Sequence, residues 1–216
     1  MPSHKIHISI AQSVNKKLNL DNDEISIGSI LPDVALVEHH GISHFQYINE
    51  YPYNLANPDE FIRIYKKHLD SAISIGYLIH LLTDRFYTEK HYKKFYIFEN
   101  NKPIKLLLNN EEITDNKLRK YIKQHDFHEY DKYLINQKII IPFKNKKVIE
   151  KIPKYENIEF DLNHLEAYIE KNNMELQQTN INYEFLYWNK FELDNIYNEC
   201  IKYILDYIKN NVDRKF

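Results

Sequence analysis

Residues 59–85 read DEFIRIYKKHLDSAISIGYLIHLLTDR, and the spacing of apolar side chains in this stretch decides the fold. Phe61, Ile64, Tyr65, Leu69, Ala72, Ile73, Ile75 and Leu78 recur mostly at the three- and four-residue intervals of an α-helix. A half-buried strand would instead alternate apolar and polar positions. Pro58 followed by Asp59 and Glu60 suits a first helical turn, where the missing proline N–H has no intrahelical acceptor to lose.

The same period extends outward in both directions. Residues 5–18 set Ile6, Ile10 and Val14 four apart with Ala11 beside them, and residues 115–138, 162–178 and 184–210 carry further helical patterns. Only three glycines occur, Gly28, Gly41 and Gly76, which argues against Gly-rich phosphate loops and against a tightly turned α/β sheet. Residues 137–160, QKIIIPFKNKKVIEKIPKYENIEF, hold β-branched runs broken by Pro142 and Pro153, so an extended loop or a small hairpin is expected there. No repeat or linker divides the chain. The expectation is an all-α, multi-helical single domain over residues 1–216 with one irregular or hairpin segment near 137–160.

Charge and cysteine content narrow the function classes. The formal net charge is −2, with 29 Lys and Arg interleaved among 31 Asp and Glu, so the basic stripe of a simple nucleic-acid binder is missing. Cys200 is the single cysteine, which excludes an internal disulfide, and its apolar neighbours Ile201, Ile204 and Leu205 suit a buried packing role. The N-terminal residues MPSHKIHISIAQSVNKKL contain no apolar run of signal-peptide length, and no stretch approaches the roughly 18 apolar residues of a membrane span. A cytoplasmic protein is the corresponding expectation.

Histidine is distributed unevenly: ten of the eleven lie at or before position 128. Within GYLIHLLTDRF, His80 and Asp84 stand four apart and share one helix face, so they could bind one metal together. A core histidine paired with a carboxylate would look the same. However, GSILPDV places Asp33 at the end of an apolar run and SHF places His44 in the next segment. A carboxylate in apolar surroundings needs a partner, and a divalent cation is one such partner. Further on, His91 follows Asp84, QHDFHEYD offers His125, His128, Glu129 and Asp131, and His7 faces them from the first helix. A polynuclear site is plausible from these donors, although a solvated polar helix face would explain the second group equally well.

The ordered set His7, GSILPD, SHF, GYLIHLLTD, a following His91 and a later histidine with an acid resembles the zinc-dependent phospholipase C family, related to the P1-type nucleases. The resemblance covers residues 1 to about 131, the remainder being similar only in its helical character. It implies an all-α fold with two or three zinc ions in a cleft. Asp33, His44, His80 and Asp84 match the ligands of one zinc. Asp84 also matches a bridge to a further zinc whose other protein ligand corresponds to His7. The remaining zinc falls to His91, to His128 or His125, and to Asp131 or Glu129. His91 with His128 and Asp131 is the favoured set, and His125 with Glu129 fits the helical spacing equally well. Secreted members complete one site with a processed N-terminal tryptophan; this chain begins MPSH, so His4 could substitute, or the site could be empty or hold a different metal.

The activity implied is hydrolysis of a phosphodiester by metal-bound hydroxide, with a phospholipid head group one candidate for the phosphoester substrate. Asp33 could act as both ligand and catalytic base, and tyrosines such as Tyr51, Tyr53 and Tyr87 could line the cleft and hold a choline-like head group through cation–π contacts. Two rival readings stand beside it. One is an HD-type phosphohydrolase, suggested by the adjacent His125 and Asp126, and the other is a non-catalytic helical binding protein on the same fold.

Overall fold

The computed structural model describes residues 2–46, 55–100 and 102–212. Most of them are helical. Helix α1 spans His4–Leu18, α2 Asn22–Gly28, α3 His40–Ser43, α4 Pro58–Tyr65, α5 Ala72–Phe95, α6 Asn116–Asn136, α7 Leu162–Glu175 and α8 Lys190–Asn211. The starts are written in side chains. Ser3, Asp21, Asn57, Ser71, Asp115, Asp161 and Asn189 each accept a hydrogen bond from a backbone N–H of the first turn, satisfying donors that no carbonyl can reach.

The long apolar pattern over 59–85 is divided between two helices. α4 gives way to a 3-10 turn at Lys66–His68, and Ser71 then caps a new helix by accepting from Ile73 N at 3.2 Å. Every residue of α5 from Ala72 to Asp84 is buried, as expected of a helix packed on all sides. Its closest neighbour is α2. A Cβ on Gly28 would come within 2.0 Å of the Ile73 carbonyl oxygen, and one on Gly76 within 2.2 Å of the Ile25 carbonyl oxygen. The two glycines therefore let the backbones of α2 and α5 touch, a distance no other side chain permits.

Residues 96–112 depart from the helical expectation. β1 (Tyr96–Glu99), β2 (Lys102–Leu108) and β3 (Glu111–Glu112) form an antiparallel sheet in that order. Asn109 and Asn110 turn the chain between β2 and β3 with φ of 52° and 67°, the left-handed backbone of a tight hairpin. Residues 137–160 contain no hairpin. They form an irregular segment with a 3-10 turn at Lys146–Lys151, held largely by side chains, with a single bridge from Phe160 to Ala35 at its end. Gln12 brackets Ile141 through its N–H and C=O, at 2.8 and 2.9 Å, and Asn173 does the same for Phe143 at 3.0 and 2.9 Å. Among the described residues no helix is long and apolar enough to cross a membrane.

Candidate metal centre

Four elements deliver polar side chains to one buried point. α1 supplies His7, the 3-10 turn Leu31–Val34 supplies Asp33, the end of α3 supplies His44, and α5 supplies His80 and Asp84. His7, His44 and His80 are fully buried, and Asp84 nearly so. The connecting segments are fixed by hydrogen bonds. Tyr77 Oη on α5 donates to Ser43 O at 2.6 Å, and Ser43 Oγ donates to Pro32 O at 2.9 Å.

The separations within the cluster are narrow. His44 Nε2 lies 3.1 Å from His80 Nε2, 3.3 Å from Asp84 Oδ2 and 3.4 Å from Asp33 Oδ1. His80 Nε2 lies 3.5 Å from Asp84 Oδ2 and 3.9 Å from Asp33 Oδ1. Ligands about 2.0–2.2 Å from a tetrahedral zinc stand about 3.3–3.6 Å from one another, so these spacings suit a common cation. His7 Nε2 approaches the other Asp84 oxygen, Oδ1, at 3.3 Å, and its ring stacks on His80 with centroids 3.9 Å apart.

Backbone carbonyls orient the two central imidazoles. His80 Nδ1 is 2.8 Å from Ser29 O, and His44 Nδ1 is 2.9 Å from His40 O. Donation from Nδ1 leaves Nε2 of each neutral ring as a lone pair aimed at the cluster, the arrangement a ligating histidine requires. By contrast, neither nitrogen of His7 and neither oxygen of Asp84 makes a hydrogen bond. Buried groups of this polarity are costly without partners, and a divalent cation supplies one to all of them together.

Electrostatics agree with the geometry. Burial alone would push the Asp33 and Asp84 carboxyls up, but the surrounding imidazoles, His80 foremost, hold both well below the usual carboxylate range. Burial, reinforced by His80, pushes His7 down to about 4, so it is neutral. For His44 burial is outweighed by Asp33 and Asp84, which raise it to about 10. Within the cluster, triads that could hold an ion are His7 with Asp33 and His80, Asp33 with His40 and His44, and His44 with His80 and Asp84.

Asp33 also connects the cluster to solvent. Its Oδ2 is 3.1 Å from His4 Nε2, and it opens onto a cleft of about 380 Å³. Ser3 and His4 of α1, His128 and Asp131 of α6 and Tyr168 of α7 line that cleft with it. Two residues near Asp33, one in the cluster and one in the cleft, were not anticipated from sequence. One is His40, whose Nε2 lies 3.8 Å from Asp33 Oδ1 and whose ring stacks on His44; its four-residue separation from His44 was the available signal. The other is Tyr168, in a region with no metal-ligand pattern.

The second group of expected ligands is not gathered in the same way. No potential ion-holding triad among the described residues includes His91, His125, His128, Glu129 or Asp131. His91 is buried among Tyr92, Phe95 and Tyr96 with both nitrogens unpartnered, and burial followed by Lys123 lowers it to about 3. His128 is exposed on the cleft wall, and Asp131, pushed up to about 7 chiefly by burial, accepts a hydrogen bond from Ser3 Oγ. Glu129 accepts from Lys132 Nζ and Glu184 N at 2.6 and 3.0 Å.

His125 Nδ1 is 2.8 Å from Asp126 Oδ1, but Asp126 also accepts from the backbone N–H groups of Leu186, Tyr187 and Trp188 at 2.9, 2.6 and 2.6 Å. That carboxylate is a fastening for the 186–188 loop, which removes the geometric basis for an HD-type site. Of the tyrosines expected near a head group, Tyr87 is buried in the core against Phe127, and Tyr51 and Tyr53 lie outside the described residues. Cys200 is buried.

The family model described as zinc dependent phospholipase C matches residues 3–207. Comparisons with curated proteins and with solved structures give no match.

Proposed function

The chain belongs to the zinc-dependent phospholipase C family, and on that premise we propose that it hydrolyses a phosphodiester with zinc held by His7, Asp33, His44, His80 and Asp84. One observation carries the reading: buried imidazole and carboxylate atoms with no hydrogen-bond partner face one another at ligand-to-ligand distances. Zinc bound there would polarise a phosphoryl oxygen and lower the pKa of a bound water.

The chain's own residues supply the rest. The carbonyls of Ser29 and His40 fix the tautomers of His80 and His44, and His4 holds the outer oxygen of Asp33. Asp33 alone of the five reaches the cleft, so it is the residue placed to orient an attacking water and to take its proton. His128 and Asp131 line the same cleft, and together with His91, buried on α5, they remain the proposed holders of a further ion. Residues 1–216 are read as one catalytic unit, a view supported by the meeting of α1, α6 and α7 around the cleft.

Hydrolysis of bis-p-nitrophenyl phosphate before and after treatment with a chelator tests the proposal. Activity lost on chelation and regained with zinc is expected. Wild-type protein with no zinc-restored activity on any phosphodiester would contradict it.

A further inference from the structure

The C-terminal part of the chain contributes to the cleft a polar group for which the metal centre has no use. α7 buries Leu165, Ile169 and Asn172, a row at helical spacing that docks it, and Tyr168 lies beside this row against α1. The Tyr168 ring meets His4 edge-on, with centroids 4.6 Å apart and planes at 87°. About two turns further along, α7 is held to α1 by the Lys5–Glu175 ion pair. The ring is thus clamped, yet Tyr168 Oη is shielded from solvent and has no hydrogen-bond partner.

Several other buried phenols among the described residues are satisfied. Tyr77 Oη donates to Ser43 O at 2.6 Å, Tyr130 Oη to Asp194 at 2.8 Å, and Tyr155 Oη pairs with Ser74 Oγ at 2.8 Å. Tyr87 Oη also lacks a partner, but it is sealed in the core, whereas Tyr168 lines the cleft beside Asp33 and Asp131. A buried hydroxyl without a partner destabilises the fold, and one on a residue that lines a binding cleft gains its partner when an arriving ligand displaces the groups that screen it. Gln124 and His128 add further donors to the same wall. Such a wall suits a ligand rich in acceptors, which a phosphoryl group is.

Resting on the catalytic reading above, we propose that Tyr168 is a substrate-binding residue whose O–H donates to a non-bridging oxygen of the phosphoryl group in the cleft. The phenol is protonated at neutral pH, so it serves as a donor without any prior proton transfer.

Tyr168→Phe removes the oxygen and keeps the ring against His4. Zinc-loaded wild type and variant would be titrated calorimetrically with inorganic phosphate, and their thermal unfolding compared in phosphate-free buffer. The expected result is a phosphate Kd raised about tenfold, the effect of one hydrogen bond to a charged acceptor, with zinc content unchanged and Tm equal or higher. An unchanged Kd, or a zinc-loaded wild type that binds no phosphate, overturns the inference. So does a Tm lowered by several degrees, because the hydroxyl would then have a structural partner. Tyr168-dependent phosphate binding by a protein that hydrolyses no phosphoester would sink the catalytic reading and leave this inference standing.

Discussion

His44 Nε2 faces His80 Nε2 at 3.1 Å while each ring commits its Nδ1 to a backbone carbonyl, His40 O at 2.9 Å and Ser29 O at 2.8 Å. Two neutral rings held this way would oppose lone pair to lone pair, so a positive species must lie between them. Without metal, the carboxylates of Asp33 and Asp84 favour a proton on His44, raising its pKa to about 10 against the effect of burial. Zinc competes for the same lone pair.

Zinc affinity is therefore expected to rise with pH. The folded His44 pKa, about 10, exceeds the ordinary value of 6.5, so at pH 7 to 8 the proton is present and must leave when zinc binds. Each unit of pH below that pKa weakens binding by about tenfold for one displaced proton. Calorimetric titrations in buffers of different ionisation enthalpy measure the protons released per zinc. Release of none at pH 7 would contradict the assignment.

Asp84 presents one oxygen to His7 at 3.3 Å and the other to His44 and His80 at 3.3 and 3.5 Å. Asp84→Asn deletes the charge that would neutralise cations held on either side of it. Zinc content should fall and hydrolysis of bis-p-nitrophenyl phosphate should drop by about 100-fold or more, beyond the effect of losing only an orienting contact. Cys200→Ala is the control: Cys200 is buried in α8 and lies outside the site, so turnover at low temperature should be nearly intact. Equal activity of wild type and Asp84→Asn would overturn the assigned role of the carboxylate.

The orientation of His80 depends on a contact between helices. Gly76 precedes His80 by one turn, and Gly28 precedes Ser29, whose carbonyl receives His80 Nδ1. Gly76→Ala would place a methyl about where the Ile25 carbonyl now stands, at 2.2 Å, forcing α2 and α5 apart. The expected cost is about 1–3 kcal/mol of stability with zinc affinity lowered about 10- to 100-fold, read from denaturant unfolding and zinc competition titration. Native zinc affinity in a folded Gly76→Ala protein would separate the helix crossing from the site.

Asp126 gives a prediction of the opposite kind. Its carboxylate accepts three backbone N–H groups from residues 186–188, so Asp126→Asn should lower stability by about 2–3 kcal/mol, the scale of a hydrogen bond to a charged group. Zinc content should not change. Loss of zinc or turnover with stability preserved would instead support an HD-type centre.

What was legible in the sequence follows from how local each feature is. His80 and Asp84 meet because four residues of one helix separate them, a relation that a single segment contains. Asp33 and His44 stood out because polar groups in apolar surroundings demand partners. His40 opens a four-residue helix directly after a 3-10 turn, so only its four-residue separation from His44 could mark it. The Ser29 carbonyl is backbone and leaves no trace in residue type. The glycines were visible as scarcity, but that Gly28 meets Gly76 is a matter of which helices cross. The small sheet at 96–112 was hidden because β1 has only four residues, with its turn carried by asparagines where glycine would have been the stronger sign. The split between α4 and α5 depends on Ser71 capping in mid-pattern.

The measurement that bears most directly on the central claim is the zinc content of the purified protein beside His80→Ala, after mild dialysis and zinc add-back, by elemental analysis. His80 touches every other member of the buried cluster by stacking or by its Nε2, so its loss cannot be made good by a neighbour. The account predicts at least one zinc per chain in the wild type and a clear deficit in a folded His80→Ala protein. A wild type that retains no zinc under these conditions, or a His80→Ala protein with the same zinc content, would contradict it.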